Sequence, residues 1–160
     1  MYSVRLAQEK DLERINAIYA YARGFMAKTG NPNQWGKTNP PTEQLIQDIA
    51  NQRLYVITEN EEIHGVFYFY IGVDPTYLNI YDGAWHSDRN YGTIHRIAGD
   101  GSKGILKTAV SFCRQYIDYI RIDTHDDNKI MQQAVAKCGF NRCGIIYIED
   151  GTPRIAYDME

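Results

Sequence analysis

The sequence predicts an α/β fold in a single domain spanning residues 1–160. Three observations predict it. Apolar residues recur at every second position in some stretches and with the roughly 3.6-residue period of a helix in others, so strands and helices alternate along the chain. Residues 91–124 read as strand, glycine loop, helix and strand, and such a unit requires parallel strands joined by a right-handed crossover. The chain closes on two strand patterns around Asp150-Gly151, a dipeptide suited to a hairpin turn.

The elements follow in order. Residues 2–7 alternate Tyr2, Val4 and Leu6 with Ser3 and Arg5, a strand pattern. From about 9 to 28, Leu12, Ile15, Tyr19, Ala22 and Met26 fall on one helical stripe. The Gly-, Asn- and Pro-rich stretch 29–41 is a loop. Thr42 is placed to cap a second helix through about 52, with Leu45 and Ile49 inward. Strands follow at 53–59 and 64–73; the second is apolar on both faces, as a central strand is. A loop over 74–90 carries Asp82, Trp85 and His86. A strand at 91–98 enters the glycine loop, and the helix after it, 103–117, turns Ile105, Ala109, Phe112, Cys113 and Tyr116 inward. Residues 119–124 are a strand. Residues 126–138 are a helix, with Asp126 or Asp127 as cap and Gly139 as stop. The hairpin strands GIIYI and RIAYDM complete the order β-α-α-β-β-β-α-β-α-β-β.

Composition narrows the function. A chain of 160 residues buries roughly two thirds of its unfolded surface without staples. A net charge of −3 argues against a nucleic-acid partner. No apolar leader and no long apolar run is present, so neither a signal peptide nor a membrane span is expected. Cys113, Cys138 and Cys143 have no C-x-x-C spacing and read as reduced thiols of a cytoplasmic protein. His86, His95, Asp123 and His125 lack metal-ligand spacing, and no metal is expected.

Gly99-Asp100-Gly101-Ser102-Lys103-Gly104 is a G-x-G-x-x-G, a loop type that cradles phosphate on free N–H groups at a helix N-terminus. No Lys follows the last glycine, so the nucleoside-triphosphate pattern G-x-x-x-x-G-K-[ST] is not met. A dinucleotide stays open: Asp123, 19 residues past Gly104, stands where a ribose-binding acid would. Against it, the unit starts past residue 90, with little chain left for further β-α repeats, and the strand before the loop carries His95-Arg96. The pyrophosphate of coenzyme A is the third reading.

The stretches IHRIAGDGSKGILKTAV and RIDTHDDNKIMQQAVAKCGF, with the closing hairpin, resemble the GNAT superfamily of N-acetyltransferases. The resemblance covers about residues 2–158 in element order, with specific motifs at about 94–140. It implies a mixed, mostly antiparallel central sheet with a parallel β-α-β cofactor unit and about four flanking helices. It implies acetyl-CoA as donor and a primary amine of a small molecule or peptide as acceptor. The family's [R/Q]-x-x-G-x-[G/A] loop falls on Gly101, Ser102, Lys103, Gly104, Ile105 and Leu106. Gly101 departs from Arg/Gln, and Leu106 departs from the small residue: it either faces the pyrophosphate or packs into the helix–sheet interface. Ile97, Ala98 and Gly99 take the place that contacts pantetheine, and Asn128, ahead of Gly139-Phe140, matches the family's later Asn. Family acceptors include antibiotics, amino acids, polyamines and protein termini. A non-catalytic acyl-CoA-binding module on the same fold, or an NAD(P) oxidoreductase, are the alternatives.

The family's base often lies on the strand before the loop, which makes His95 the first candidate; an ordinary pKa of about 6.5 suits proton work. Its alternative role is to tie strand to neighbour. His125 is the second candidate, or a local hydrogen-bond post. Strand alternation puts Thr93, His95 and Ile97 on one side and Ile94 and Arg96 on the other, with Arg96 and Asp123 able to pair. Val135 stands seven residues after Asn128, where many members carry a Tyr acid. The resemblance puts the acceptor near Asn33, Gln34 and Trp35 of one loop and Asp82 and Trp85 of another. Each Trp either walls that pocket or staples its loop to the core. Edge strands in the closing hairpin leave a homodimer open.

Overall fold

In the computed structural model, which describes residues 1–160, a seven-stranded sheet is crossed by four helices. In chain order the elements are β1 (Ser3–Leu6), α1 (Leu12–Lys28), α2 (Thr42–Ala50), β2 (Leu54–Glu59), β3 (Glu62–Ile71), β4 (Gly92–Gly99), α3 (Ile105–Cys113), β5 (Ile120–Thr124), α4 (Lys129–Lys137), β6 (Asn141–Tyr147) and β7 (Pro153–Met159). Short 3-10 turns precede α1 at Glu9–Asp11 and follow β3 at Pro75–Tyr77. The order of strands and helices is the expected one. In space the strands run β1-β2-β3-β4-β5-β7-β6, and every neighbouring pair is antiparallel except β4 with β5. Of the closing hairpin, only β6 is an edge.

The helix ends differ from expectation for local reasons. Thr42 is the first helical residue of α2, and Pro41 holds the cap position. Gly101 and Gly104 sit at φ of 97° and 81°, so α3 starts only at Ile105. It stops at Cys113, which leaves Tyr116 62% exposed rather than inward. The cap of α4 is Asn128, not Asp126 or Asp127: its side chain accepts from the Met131 N–H at 3.0 Å.

Three apolar clusters follow from the two faces of the sheet. Phe67, Phe69, Ile94, Ile122 and Ile155 meet α3 and α4 on one face, where Val135 is fully buried. Leu54, Val56, Val66 and Tyr68 meet Ile15, Ile18 and Tyr19 of α1 and Leu45 of α2 on the other. The remaining part of that second face, over β5, β7 and β6, is covered by the 74–91 loop through Tyr77 and Tyr91 against Tyr119, Ile146 and Ala156. Cys113, Cys138 and Cys143 are free. No helix is long and apolar enough to cross a membrane.

Two features of β4 create the site. First, β4 and β5 pair only at Gly92↔Ile120 and Thr93↔Arg121, and beyond these residues β4 has no strand on that side, although β3 follows it to Gly99. The sheet is therefore split open along half of β4. Second, β4 is bulged. Val66 faces Ala98 and Tyr68 faces His95, so Arg96 and Ile97 together oppose Phe67, and Arg96 takes a left-handed φ of 51°. Such a backbone costs a non-glycine residue about 1–2 kcal/mol. It is held by the Tyr19 hydroxyl, which donates to the Arg96 carbonyl at 2.6 Å, and by the Arg96 guanidinium on Asp48 at 2.8 and 3.1 Å.

The bulge overturns simple alternation. His95 and Arg96 both lie against Tyr68, with the His95 ring centroid 5.5 Å from that of Tyr68 and the guanidinium carbon 4.6 Å from it. Ile94 and Ile97 both pack toward α3 and α4. Arg96 pairs with Asp48, not with Asp123, because the extra residue swings it toward α2.

Candidate functional site

The glycine loop leaves a set of backbone donors free. The N–H groups of Gly101, Lys103, Gly104, Ile105, Leu106 and Lys107 have no acceptor within the protein. The last three open α3, so they carry the positive end of its dipole. The exception is Ser102, whose N–H and hydroxyl both donate to Asp100 Oδ1, at 3.0 and 2.6 Å. Asp100 in turn is balanced by Arg14 at 3.0 Å and His64 at 2.8 Å. Burial raises its pKa, but the hydrogen bonds from Ser102 and His64 outweigh that and keep it low. The Tyr2 hydroxyl donates to the Lys103 carbonyl at 2.9 Å and pins the loop from outside.

These donors open into a cleft of about 870 Å³ between α3 and α4 on one side and α1 on the other. Ile97, Ala98, Gly99, Gly101, Ser102, Gly104, Ile105, Leu106 and Asn128 line it; Lys103 does not. Leu106 both lines the cleft and packs against the core, so neither half of the alternative excludes the other. Tyr21, Phe25 and Met26 of α1 give the opposite wall an apolar character. Free N–H groups at a helix start, a long apolar wall and a strand edge without a partner fit an extended ligand with a pyrophosphate and a pantetheine-like arm. Coenzyme A is such a ligand.

A second cavity of about 200 Å³ lies at the split between β4 and β5. Gln34 and Trp35 come to it from the 29–41 loop, His95 from β4, Asp123 and Thr124 from β5, and Arg154 from β7. Met26, Ile97, Asn128 and Met131 line both cavities, so the two meet there. The loop is fastened across this junction: Asn128 Nδ2 donates to Gln34 Oε1 at 3.0 Å, as does Asn31 Nδ2 at 2.9 Å. Trp35 also packs its ring against Tyr19, with centroids 5.4 Å apart.

His95 stands between two carboxylates. Nε2 is 2.6 Å from Asp74 Oδ2, and Nδ1 is 3.6 Å from Asp123 Oδ1. Burial raises the Asp74 carboxyl, but the hydrogen bond and charge of His95, with two donors from Thr76, outweigh it and hold it at about 2. An ionised carboxylate only accepts, so the proton of a neutral imidazole is on Nε2 and Nδ1 is left as its acceptor. Asp123 Oδ1 also takes the Tyr77 hydroxyl at 2.5 Å. Burial, then the charge of Asp123, pushes that phenol well above its usual range.

Other expected residues lie elsewhere. His125 lines neither cavity; its Nδ1 accepts from the Asp127 N–H at 3.0 Å, a local post at the start of α4. Asn33 is exposed and lines neither cavity. Asp82 and Trp85, expected beside the acceptor, line neither cavity. Asp82 is an exposed turn residue with φ of 56°. Trp85 is drawn to the far half of the sheet, where its ring N–H donates to the Tyr77 carbonyl at 3.1 Å and Arg121 stacks 4.1 Å above it. His86 bonds Asp158 at 2.6 Å with Cys143 Sγ 3.4 Å away. Burial, then the Asp158 carboxylate, pushes the Cys143 thiol up to about 12. Val135 is a core residue, so its position offers no acid. Asp123 faces His95 and Tyr77 rather than the glycine loop, which removes the ribose-binding role.

Sequence reasoning missed Asp74, Thr124 and Arg154. Asp74 precedes Pro75 and accepts from the Thr76 N–H at 2.9 Å, a turn-capping signal that names no histidine partner. Arg154 is the one charged residue opening an apolar strand run, and that contrast is its signal in the sequence.

Comparison with known proteins is consistent with this geometry. Neither a protein-family model nor a curated protein sequence matches the chain. Among solved structures, an acetyltransferase of the GNAT family from Streptococcus agalactiae is 30% identical over 99% of this chain and 94% of its own, with a TM-score of 0.89. A Staphylococcus aureus protein described as an acetyltransferase is 25% identical over 98% and 97%, with a TM-score of 0.69. A Salmonella typhimurium protein of the same description, solved with its cofactor acetyl-CoA, shares the fold at a TM-score of 0.62 and 15% identity over 99% and 93%. The split sheet, the glycine loop at the head of α3 and the near full-length match with the streptococcal structure together place this chain in the GNAT family of acetyltransferases.

Proposed function

We propose that the protein transfers an acetyl group from acetyl-CoA to a primary amine of a small molecule. One observation carries the reading: the phosphate-ready cleft and the small polar cavity meet at the split between β4 and β5, beside His95. The free N–H groups of Gly101 and residues 103–107 would hold the pyrophosphate, and the unpartnered edge of β4 at Ile97–Gly99 would hold the pantetheine arm. When bound, acetyl-CoA supplies an activated thioester whose thiol ionises near about 8.5, so the chain need not furnish a strong acid. Asp74 fixes the His95 ring, and Nδ1 takes a proton from the acceptor ammonium, freeing the nitrogen lone pair for attack. Overall an N–C bond replaces the C–S bond, and one proton is released. Gln34, tied to Asn128, closes the 29–41 loop over the junction.

A second reading has a specific observation behind it. Val135 is buried where the family often carries an acid, which suits a module that binds acyl-CoA without turnover. Thermal-shift titration with acetyl-CoA, CoA and NAD, followed by thiol release with a panel of amines, tests both. Ligand at about a hundred times its Kd adds roughly 2.7 kcal/mol to the folded state, a rise of several degrees. A rise with acetyl-CoA and none with NAD, with thiol release, supports transfer. A rise without release by any amine supports the binding module. No rise with either CoA species overturns both.

A further inference from the structure

We infer that the acceptor is an α-amino acid, its carboxylate held by Arg154 and its ammonium placed between Asp123 and His95; this rests on the acetyl-transfer reading above. Arg154 is 6% exposed, yet no carboxylate lies within 4.0 Å of its guanidinium. Its hydrogen bonds go to neutral oxygens: Thr152 Oγ1 at 3.0 Å, the Pro153 carbonyl at 2.8 Å and the Gln34 carbonyl at 3.4 Å. A guanidinium removed from water without a contacting counter-charge is costly: burial lowers its pKa more than the more distant charges of Asp123 and Asp150 raise it. Arg121 is the informative contrast. It is 5% exposed and also lacks a carboxylate, but the rings of Trp85, Tyr91 and Tyr119 lie 4.1, 4.0 and 5.3 Å from it. Arg154 has no aromatic face over it and opens onto the acceptor cavity.

The opposite charge lies on the same wall. Asp123 is paired with Ala156, two residues along β7 from Arg154, so the two side chains are diagonal neighbours on one face of the sheet. They do not form an ion pair. An arginine and an aspartate that share a small cavity without touching present a fixed dipole, and a zwitterion is the ligand that completes it. A simple monoamine would leave Arg154 unpaired, and a diamine would set its second cation against it. Thr124 Oγ1, buried and without a partner, lines the same cavity from the opposite face of the split sheet and adds a further unmet polar group. The ammonium end falls beside His95 Nδ1, the atom assigned to take its proton.

The test is calorimetric and needs no turnover. CoA-saturated protein is titrated with each of the twenty L-α-amino acids, and every one that binds is compared with its amide and its decarboxylated amine. The expected result is binding of one or more amino acids, with a loss of about 10- to 100-fold on removing the carboxylate charge. In R154Q the amino acid should lose a similar factor while the decarboxylated amine is unchanged, with the CoA thermal shift retained as proof of folding. Equal affinity for acid and amine in the wild type, an equal loss of both in R154Q, or no binding by any of the twenty overturns the inference. Failure of the acetyl-transfer reading itself is separately visible as absence of the acetyl-CoA shift, or as a shift with no thiol release by any amine.

Discussion

The two cavities that meet at the split sheet are built in opposite ways. The larger cleft has its cluster of free backbone N–H donors on one continuous stretch, residues 101–107. The smaller cavity draws its polar groups from segments far apart in the chain: Gln34, His95, Asp123, Thr124 and Arg154. In the first, almost any side chain that preserves the loop's path preserves the donors. In the second, each side chain is itself the binding group. The difference teaches where a substitution is felt: at the larger cleft through the path of the backbone, and at the smaller cavity through the side chain itself.

The comparison can be broken most sharply on the acceptor side. His95→Ala should leave the CoA thermal shift intact and lower kcat by about 10²- to 10⁴-fold. Unchanged turnover would return His95 to a tie between β4 and the Asp74 turn. Asp74 comes next. Its carboxyl is held at about 2 against an ordinary 3.8, so folding favours the ionised form. Its contribution, about 2 kcal/mol from roughly 1.4 per unit, is complete above its unfolded value and is lost as pH falls from about 4 towards 2. Asp74→Asn should therefore flatten the urea midpoint over that range, and a slope equal to wild type would break the Asp74–His95 assignment.

Smaller effects sharpen the other half. At Gly101, with φ of 97°, a Cβ would come within 2.8 Å of the Tyr21 hydroxyl. Gly101→Val should weaken CoA by about tenfold through a strained backbone costing roughly 1–3 kcal/mol. Lys103→Ala should weaken it less than about fivefold, as one exposed charge contributes 1 kcal/mol or less. Equilibrium titration of CoA reads both. A larger loss from the lysine than from the glycine would mean that side chains, not backbone, hold the phosphate.

Legibility in the sequence followed the same division. The element order and the glycine loop were readable because hydrophobic period and glycine placement are local signals. The bulge was not. Arg96 adopts a left-handed conformation with no glycine to mark it, and the contacts that hold it come from Tyr19 and Asp48, both far away in sequence. That single extra residue moved Arg96 away from Asp123 and placed it beside His95. The acceptor loops were half readable. Trp35 lines the cavity and also packs on Tyr19, whereas Trp85 is held on the other half of the sheet by Tyr77 and Arg121, and chain order carries no information about which way a loop folds. The Asp74–His95–Asp123 arrangement joins residues 21 and 28 positions apart, which no motif spans.

The placement of β7 between β5 and β6 has a consequence for how the molecule is made. β6 is synthesised first, yet it reaches the rest of the sheet only through β7. On a ribosome, a nascent chain that has emerged as far as Tyr147 can assemble β1 to β4 by antiparallel neighbours, but β5 keeps an open flank and β6 has no strand to dock on, only the 74–91 loop through Tyr81 and Ala84. Arg154 and the partner strand of Asp123 arrive together in that last addition, so the smaller cavity is completed only when the final strand slots in, after the glycine loop is already laid down.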